Sequence, residues 1–232
     1  MTLTLHYAPD NASLIVRLAL EEAGLPYRTV LVDRAKRAQD GPAYRALNPA
    51  GLIPVLETPR GPIFETGAIL LWLSEQAPGL APAPGDARRG SFLTWLLFTS
   101  NTLHTGLRMT FYPEKYAGPD AQAQAALRAT VQTRLTGDLG LIDAAYGADA
   151  PFFIGDTPCL LDLYLAPLLR WCALYPDGQT GWFDLARYPR LARMAHALEQ
   201  RPATHAAQRA EGLGPAPFTA PVHANPPEGS AT

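Results

Sequence analysis

From residue 3 the chain alternates apolar and polar side chains, Leu3-Thr4-Leu5-His6-Tyr7, the period of a strand. Pro9-Asp10-Asn11 breaks this with turn residues. Ser13 then precedes the run Leu14-Ile15-Val16-Arg17-Leu18-Ala19-Leu20-Glu21-Glu22-Ala23, and Gly24 follows it. Serine before an apolar stretch and glycine after it punctuate a helix. Tyr27 to Val32 reads as a second strand. A strand, a helix and a strand within about thirty residues suffice for a parallel crossover.

Arg34 to Leu47 is a polar, loosely helical connection. Ile53 to Glu57 and Pro62 to Phe64 form two short strands around Pro59-Arg60-Gly61, and Thr66 to Gln76 is a helix with Ile69, Leu70 and Leu73 on one side. Pro78 to Gly85 reads as a linker. Beyond it only helical patterns follow, over 86–116, 121–146, 158–175 and 189–200. From Gly212 onward proline and glycine replace the apolar period, which predicts a mobile tail. The pattern predicts an α/β domain over 1–78, a linker over 79–87, an all-helical domain over 88–211 and a flexible Pro-rich tail over 212–232.

The chain has 232 residues, 47% of them hydrophobic, and a formal net charge of −2. That length suits two small domains, and the charge gives no bulk attraction for nucleic acid or an anionic membrane. No apolar run is long enough to span a bilayer, and the N-terminus lacks the pattern of a signal peptide. The two cysteines, Cys159 and Cys172, lack any metal-ligand spacing; no metal is expected, and a reducing, cytoplasmic setting fits.

Asn48-Pro49-Ala50-Gly51-Leu52-Ile53-Pro54-Val55-Leu56 carries the most local information. A proline at a strand start removes a ladder donor. A cis bond there would turn the Ile53 backbone outward to pair with an extended peptide, whereas an ordinary trans proline at a strand edge is the default for the residues alone. This segment resembles the NPxGxVPVL signature of the cytosolic glutathione S-transferases. Glu65-Thr66-Gly67-Ala68-Ile69 is similar to their E-S-x-A-I, Phe153-Ile154-Gly155-Asp156 with Asp162 to their helix start, and Tyr188-Pro189-Arg190-Leu191 and Arg201-Pro202-Ala203 to their C-terminal pattern. The resemblance covers roughly residues 3–212.

The resemblance implies a thioredoxin-like βαβ–ββα domain followed by an all-helical domain, with glutathione as co-substrate and a homodimer as the assembly. It implies a cis Pro54, with Ile53 pairing to the cysteinyl unit of glutathione and Glu65 and Thr66 holding the γ-glutamyl end. Thr66 at a helix N-terminus suits a carboxylate there. Lys36 is a candidate for the glycyl carboxylate.

A transferase must hold the glutathione thiolate. Lowering a thiol pKa from about 8.5 by about two units takes roughly 2.7 kcal/mol. The turn Tyr7-Ala8-Pro9-Asp10-Asn11-Ala12-Ser13 resembles the bacterial beta-class Y-x-P-x-x-C-S, with Ala12 where that class has its cysteine. Ser13 is the first choice of donor, Asn11 the second and Tyr7 the third; each has a structural alternative, as cap, turn residue or packing. Trp95 to Thr105 resembles the beta-class W-L-x-F-x-x-x-E-L-H-K, so His104 matches a histidine facing the thiol, while Thr102 and Thr105 depart from the pattern. Met109, Tyr112, Tyr116 and Trp171 are candidates to line a second-substrate cleft. The implied activity is conjugation of glutathione to a small hydrophobic electrophile. The alternatives are a glutathione-dependent disulfide or peroxide reductase and a non-catalytic binding module.

Overall fold

The computed structural model describes residues 2–146, 152 and 156–231. The chain divides into two compact units, one formed by the residues up to Leu80 together with Leu198 onward, the other by Ala81–Ala197.

In the first unit β1 (Leu3–Tyr7), β2 (Tyr27–Leu31), β3 (Val55–Thr58) and β4 (Gly61–Phe64) form one sheet in the order β2-β1-β3-β4. β1 runs parallel to β2 and antiparallel to β3, and β4 returns antiparallel beside β3. β1 is one of the two inner strands and is buried on both faces. Its polar side chains are therefore partnered: Thr4 Oγ1 accepts from Arg28 Nε at 2.8 Å, and His6 Nε2 lies 2.7 Å from Glu57 Oε1. Helix α1 (Ser13–Ala23) buries every residue from Ser13 to Leu20 and ends on Gly24 at φ 62°. The β2–β3 connection holds a short 3₁₀ turn, Ala38–Asp40, and the single-turn α2 (Pro42–Arg45); α3 (Thr66–Gln76) follows β4 and packs on α1.

The second unit is helical. α4 (Arg89–Phe98), a π-helical segment Thr99–His104 and α5 (Thr105–Phe111) run on from one another, so the single pattern expected over 86–116 carries a local widening. The Thr105 hydroxyl donates to the Ser100 carbonyl at 3.1 Å within it. α6 (Glu114–Ala117) and the long α7 (Ala121–Ala145) follow. α5 approaches α7 closely at Gly106, where a Cβ would lie 2.8 Å from Leu135 Cδ2. α8 (Leu160–Leu174) is buried at all but one of its residues. Its N-cap is Cys159, whose N–H donates to Asp162 Oδ2 at 2.7 Å; Tyr146 donates its hydroxyl to Oδ1 at 2.6 Å. Asp162 thus braces the start of α8, while Phe153-Ile154-Gly155 of that motif lies outside the described residues.

The C-terminal third of the pattern needs correction. α9 (Pro189–Glu199) is followed by α10 (Pro202–Glu211), which packs on α1 and groups with the first unit, not with the helices before it. Arg201 Nε donates to Glu22 Oε2 at 2.8 Å, which ties the start of α10 to α1. Nor do residues 212–231 stand clear of the fold. Leu213 and Phe218 are 0% and 1% exposed, and Glu199 Oε1 accepts the N–H groups of Phe218 and Thr219, each at 2.8 Å. Two apolar anchors among the prolines suffice to seat a segment without a helical or strand period.

Candidate functional site

The β1–α1 turn separates the three candidate donors. Ser13 is 0% exposed; its hydroxyl donates to the Ala8 carbonyl at 2.9 Å and accepts the Ala8 N–H at 3.2 Å. A hydroxyl has one proton, and here it goes to a backbone carbonyl. In this arrangement Ser13 closes the turn, its hydroxyl bonded on both sides to Ala8. Asn11 is half-buried, and its Oδ1 accepts the Ala12 N–H at 2.8 Å. That bond fixes the amide, and its NH₂ makes no hydrogen bond among the described residues. Tyr7 is 2% exposed, its ring lies under the Arg17 guanidinium at 4.7 Å, and its hydroxyl donates to Glu228. Burial first, then Glu228, raises its pKa well above the ordinary phenol value.

The turn is held by a residue with no signal in the sequence. Asp10 sits at φ 48°, in the left-handed region that few non-glycine residues adopt. Its N–H donates to Glu211 Oε2 at 2.8 Å, and Glu211 Oε1 accepts from Arg17 Nε at 2.7 Å. Glu211 ends α10, 201 residues from Asp10 in the chain. Nothing in a glutamate before a helix-ending glycine distinguishes it from a solvated one.

At the other end of the sheet edge, the Ile53–Pro54 bond is cis, as the resemblance implied. The loop before it is braced from inside: Tyr44 Oη and Asn48 Nδ2 both donate to the Leu52 carbonyl, at 2.9 and 2.7 Å. Asn48 Oδ1 also accepts the Ala50 N–H at 3.0 Å. The ladder starts at Val55, and among the described residues the Ile53 N–H and C=O make no hydrogen bond. β3 and β4 pair Val55 with Phe64 and Leu56 with Ile63, so the ladder ends two residues after Ile53 on one strand and immediately before Glu65 and Thr66 on the other. Glu65 is the N-cap of α3 and sits at φ 72°; its side chain makes no cap bond. Thr66 is the first helical residue and is 7% exposed. The first-turn N–H groups of α3 are thus left for an anion. Lys36 is mostly solvated, with its ammonium 2.9 Å from Asp33 Oδ2.

His104 ends the π-helical segment of the second unit and is half-buried. Its Nδ1 lies 3.0 Å from the Tyr164 hydroxyl, and the Trp171 ring is 5.8 Å from its own. Loss of solvation, with a smaller push from Arg108, lowers its pKa to about 4, so the ring is neutral at pH 7. Of the four expected lining residues, Trp171 is 4% exposed and Tyr116 41%. Both cysteines are free and buried. Among the described residues, no group of three or more His, Cys, Asp or Glu is arranged to hold a metal ion, and no helix is long and apolar enough to cross a membrane.

Residues 12–76 match the family model for the glutathione S-transferase N-terminal domain. The chain is 32% identical to a maleylpyruvate isomerase of Ralstonia sp, over 75% of this chain and 81% of that protein. It is 28% identical to the disulfide-bond oxidoreductase YfcG of Escherichia coli (strain K12), over 90% of this chain and 96% of that one. A sphingomonad glutathione S-transferase solved as a complex with glutathione superposes with a TM-score of 0.73 at 32% identity, covering 91% of this chain and all of the other. The domain match, the superposition over 91% of the chain and the thioredoxin-like sheet agree: this chain belongs to the glutathione S-transferase family.

Proposed function

We propose that the chain binds glutathione along the Ile53–Pro54 edge and activates its thiol for conjugation to a small hydrophobic electrophile. Ile53 pairs with the cysteinyl unit through its backbone. Glu65 meets the γ-glutamyl ammonium, and the start of α3 at Thr66 meets the γ-glutamyl carboxylate. Lys36 is the candidate partner for the glycyl carboxylate. The observation that carries this reading is the bare Ile53 backbone, lying just ahead of the β3 ladder, whose partner strand β4 ends immediately before Glu65 and Thr66.

Asn11 becomes the first candidate for the thiolate donor. Its amide is held by the Ala12 N–H and still has two protons to give. His104, neutral at pH 7, serves as a hydrogen-bonding or packing group and not as a cation. The family's homodimer and cytoplasmic setting belong to the same reading.

A second reading is a glutathione-dependent disulfide reductase. It is favoured by the Asn11 amide on the turn and by the likeness to an oxidoreductase, and disfavoured by Ala12 where the beta class has its cysteine. The two separate by assay. Retention on immobilised glutathione, with turnover of a chlorodinitrobenzene-type electrophile, supports the transferase. Turnover of hydroxyethyl disulfide alone supports the reductase, and retention without either activity leaves a binding module. Failure to bind glutathione removes all three.

A further inference from the structure

The sphingomonad structure is covered over its full length by 91% of this chain, so roughly a tenth of the chain has no counterpart in it. The family resemblance in the sequence runs to about residue 212, and a C-terminal segment follows it. The segment folds back sharply. The Asn225 N–H donates to the Gly212 carbonyl at 2.9 Å, and a Cβ on Gly212 would lie 1.9 Å from the Asn225 oxygen. Beyond Pro226-Pro227, a stiff pair, the chain crosses the C-terminal ends of β1 and β2. Glu228 accepts the Tyr7 hydroxyl. Gly229 sits so close that a Cβ there would lie 2.7 Å from Leu31 Cδ1 and 3.3 Å from Pro9 Cδ. Arg34 donates to the Ala231 carbonyl at 2.6 Å.

We propose that residues 226–231 are a strap over the β1–α1 turn, latched by Glu228 on the Tyr7 hydroxyl, and that its closure limits access of glutathione to the thiol end of the site. This rests on the glutathione site proposed above. While the latch is closed, the Tyr7 proton is committed to a carboxylate in a charge-assisted bond. The same carboxylate sets a negative charge beside the turn and opposes an arriving thiolate. Pro227, Glu228 and Gly229 remain exposed on their outer side. The strap is therefore held by a few points and not by a core, as a segment that opens locally must be. Opening frees the Tyr7 hydroxyl and removes the charge together.

The test uses the full chain and its variants Glu228→Ala and Arg34→Ala, each with and without Tyr7→Phe, titrated with glutathione in a calorimeter. Near-ultraviolet circular dichroism verifies the fold of each. A strap closed about nine-tenths of the time weakens apparent binding about tenfold. Each single variant is therefore expected to tighten binding by about threefold to tenfold, with the gain in Glu228→Ala reduced when Tyr7→Phe is added. Dissociation constants in both variants equal to that of the natural chain overturn the strap alone. No binding by any of the chains overturns the glutathione site, and the strap's role with it.

Discussion

Arg17 and Glu211 stand 194 residues apart in the chain, yet Nε of the first donates to Oε1 of the second at 2.7 Å, with both side chains buried. The pair does more than tie α10 to α1. The other oxygen of Glu211 holds the Asp10 N–H, and the guanidinium of Arg17 covers the Tyr7 ring. One carboxylate from the end of the last helix therefore shapes the turn at the end of the first strand.

Removing one partner of such a pair leaves the other buried and uncompensated. Glu211→Ala is expected to lower stability by roughly 3–5 kcal/mol. Arg17→Ala should cost a comparable amount, and the double variant should cost less than the sum. Urea unfolding of the four chains measures this; additive losses would mean that the two residues do not act as a pair.

Burial pushes the Glu211 pKa up to about 7, against the pull of Arg17 and the Asp10 N–H, from an ordinary value of 4.5. For an acid whose folded pKa is raised, the folded state binds more protons than the unfolded one between those two values. Stability from this group is therefore highest below pH 4.5 and falls as pH rises to about 7. Other groups titrate in the same range, so the quantity to follow is the difference between the natural chain and Glu211→Gln. Glu211→Gln stays neutral at every pH, so the difference should be smallest below pH 4.5 and grow as pH rises to about 7, with the natural chain becoming the less stable of the two. A flat difference across the range refutes the assignment.

Asn11 and Ser13 separate by different measurements. Asn11→Ala removes the one turn side chain with amide protons to give and is expected to raise the pKa of bound glutathione by about one unit, or about 1.4 kcal/mol. Ser13→Ala breaks two buried hydrogen bonds to Ala8 and is expected to cost about 1–3 kcal/mol of stability. It should leave the thiol titration where it was. Ultraviolet absorbance of the thiolate reads the first, denaturant unfolding the second. The opposite pattern would restore Ser13 as the donor.

Asp162 accepts the Cys159 N–H and the Tyr146 hydroxyl on separate oxygens. Asp162→Ala leaves both donors without this acceptor at the start of a buried helix, and a loss of about 2–4 kcal/mol is expected. Tyr146→Phe should cost about 1 kcal/mol, and almost nothing once Asp162 is gone. A Tyr146→Phe cost that persists in the Asp162→Ala background would show that the hydroxyl acts through another partner.

The sequence by itself determined the local elements and their order. Alternation marked β1, and Ser13 with Gly24 bracketed α1. The Pro54 and Glu65-Thr66 motifs pointed to the proposed binding edge, because each depends on neighbours within a few residues. Only the tertiary structure decided which side chains remain available at that edge. Ser13 ranks ahead of Asn11 as a donor in one dimension, and only the fold shows the Ser13 hydroxyl bonded to Ala8 while the Asn11 amide protons are unspent. Glu211 and Glu228 are unremarkable glutamates until the chain returns them to Asp10, Arg17 and Tyr7. Such pairings lie some two hundred residues apart, and no local period encodes them. The Pro-rich end likewise reads as mobile because its two anchors, Leu213 and Phe218, have no repeat; the buried surface waiting for them exists only in the folded molecule.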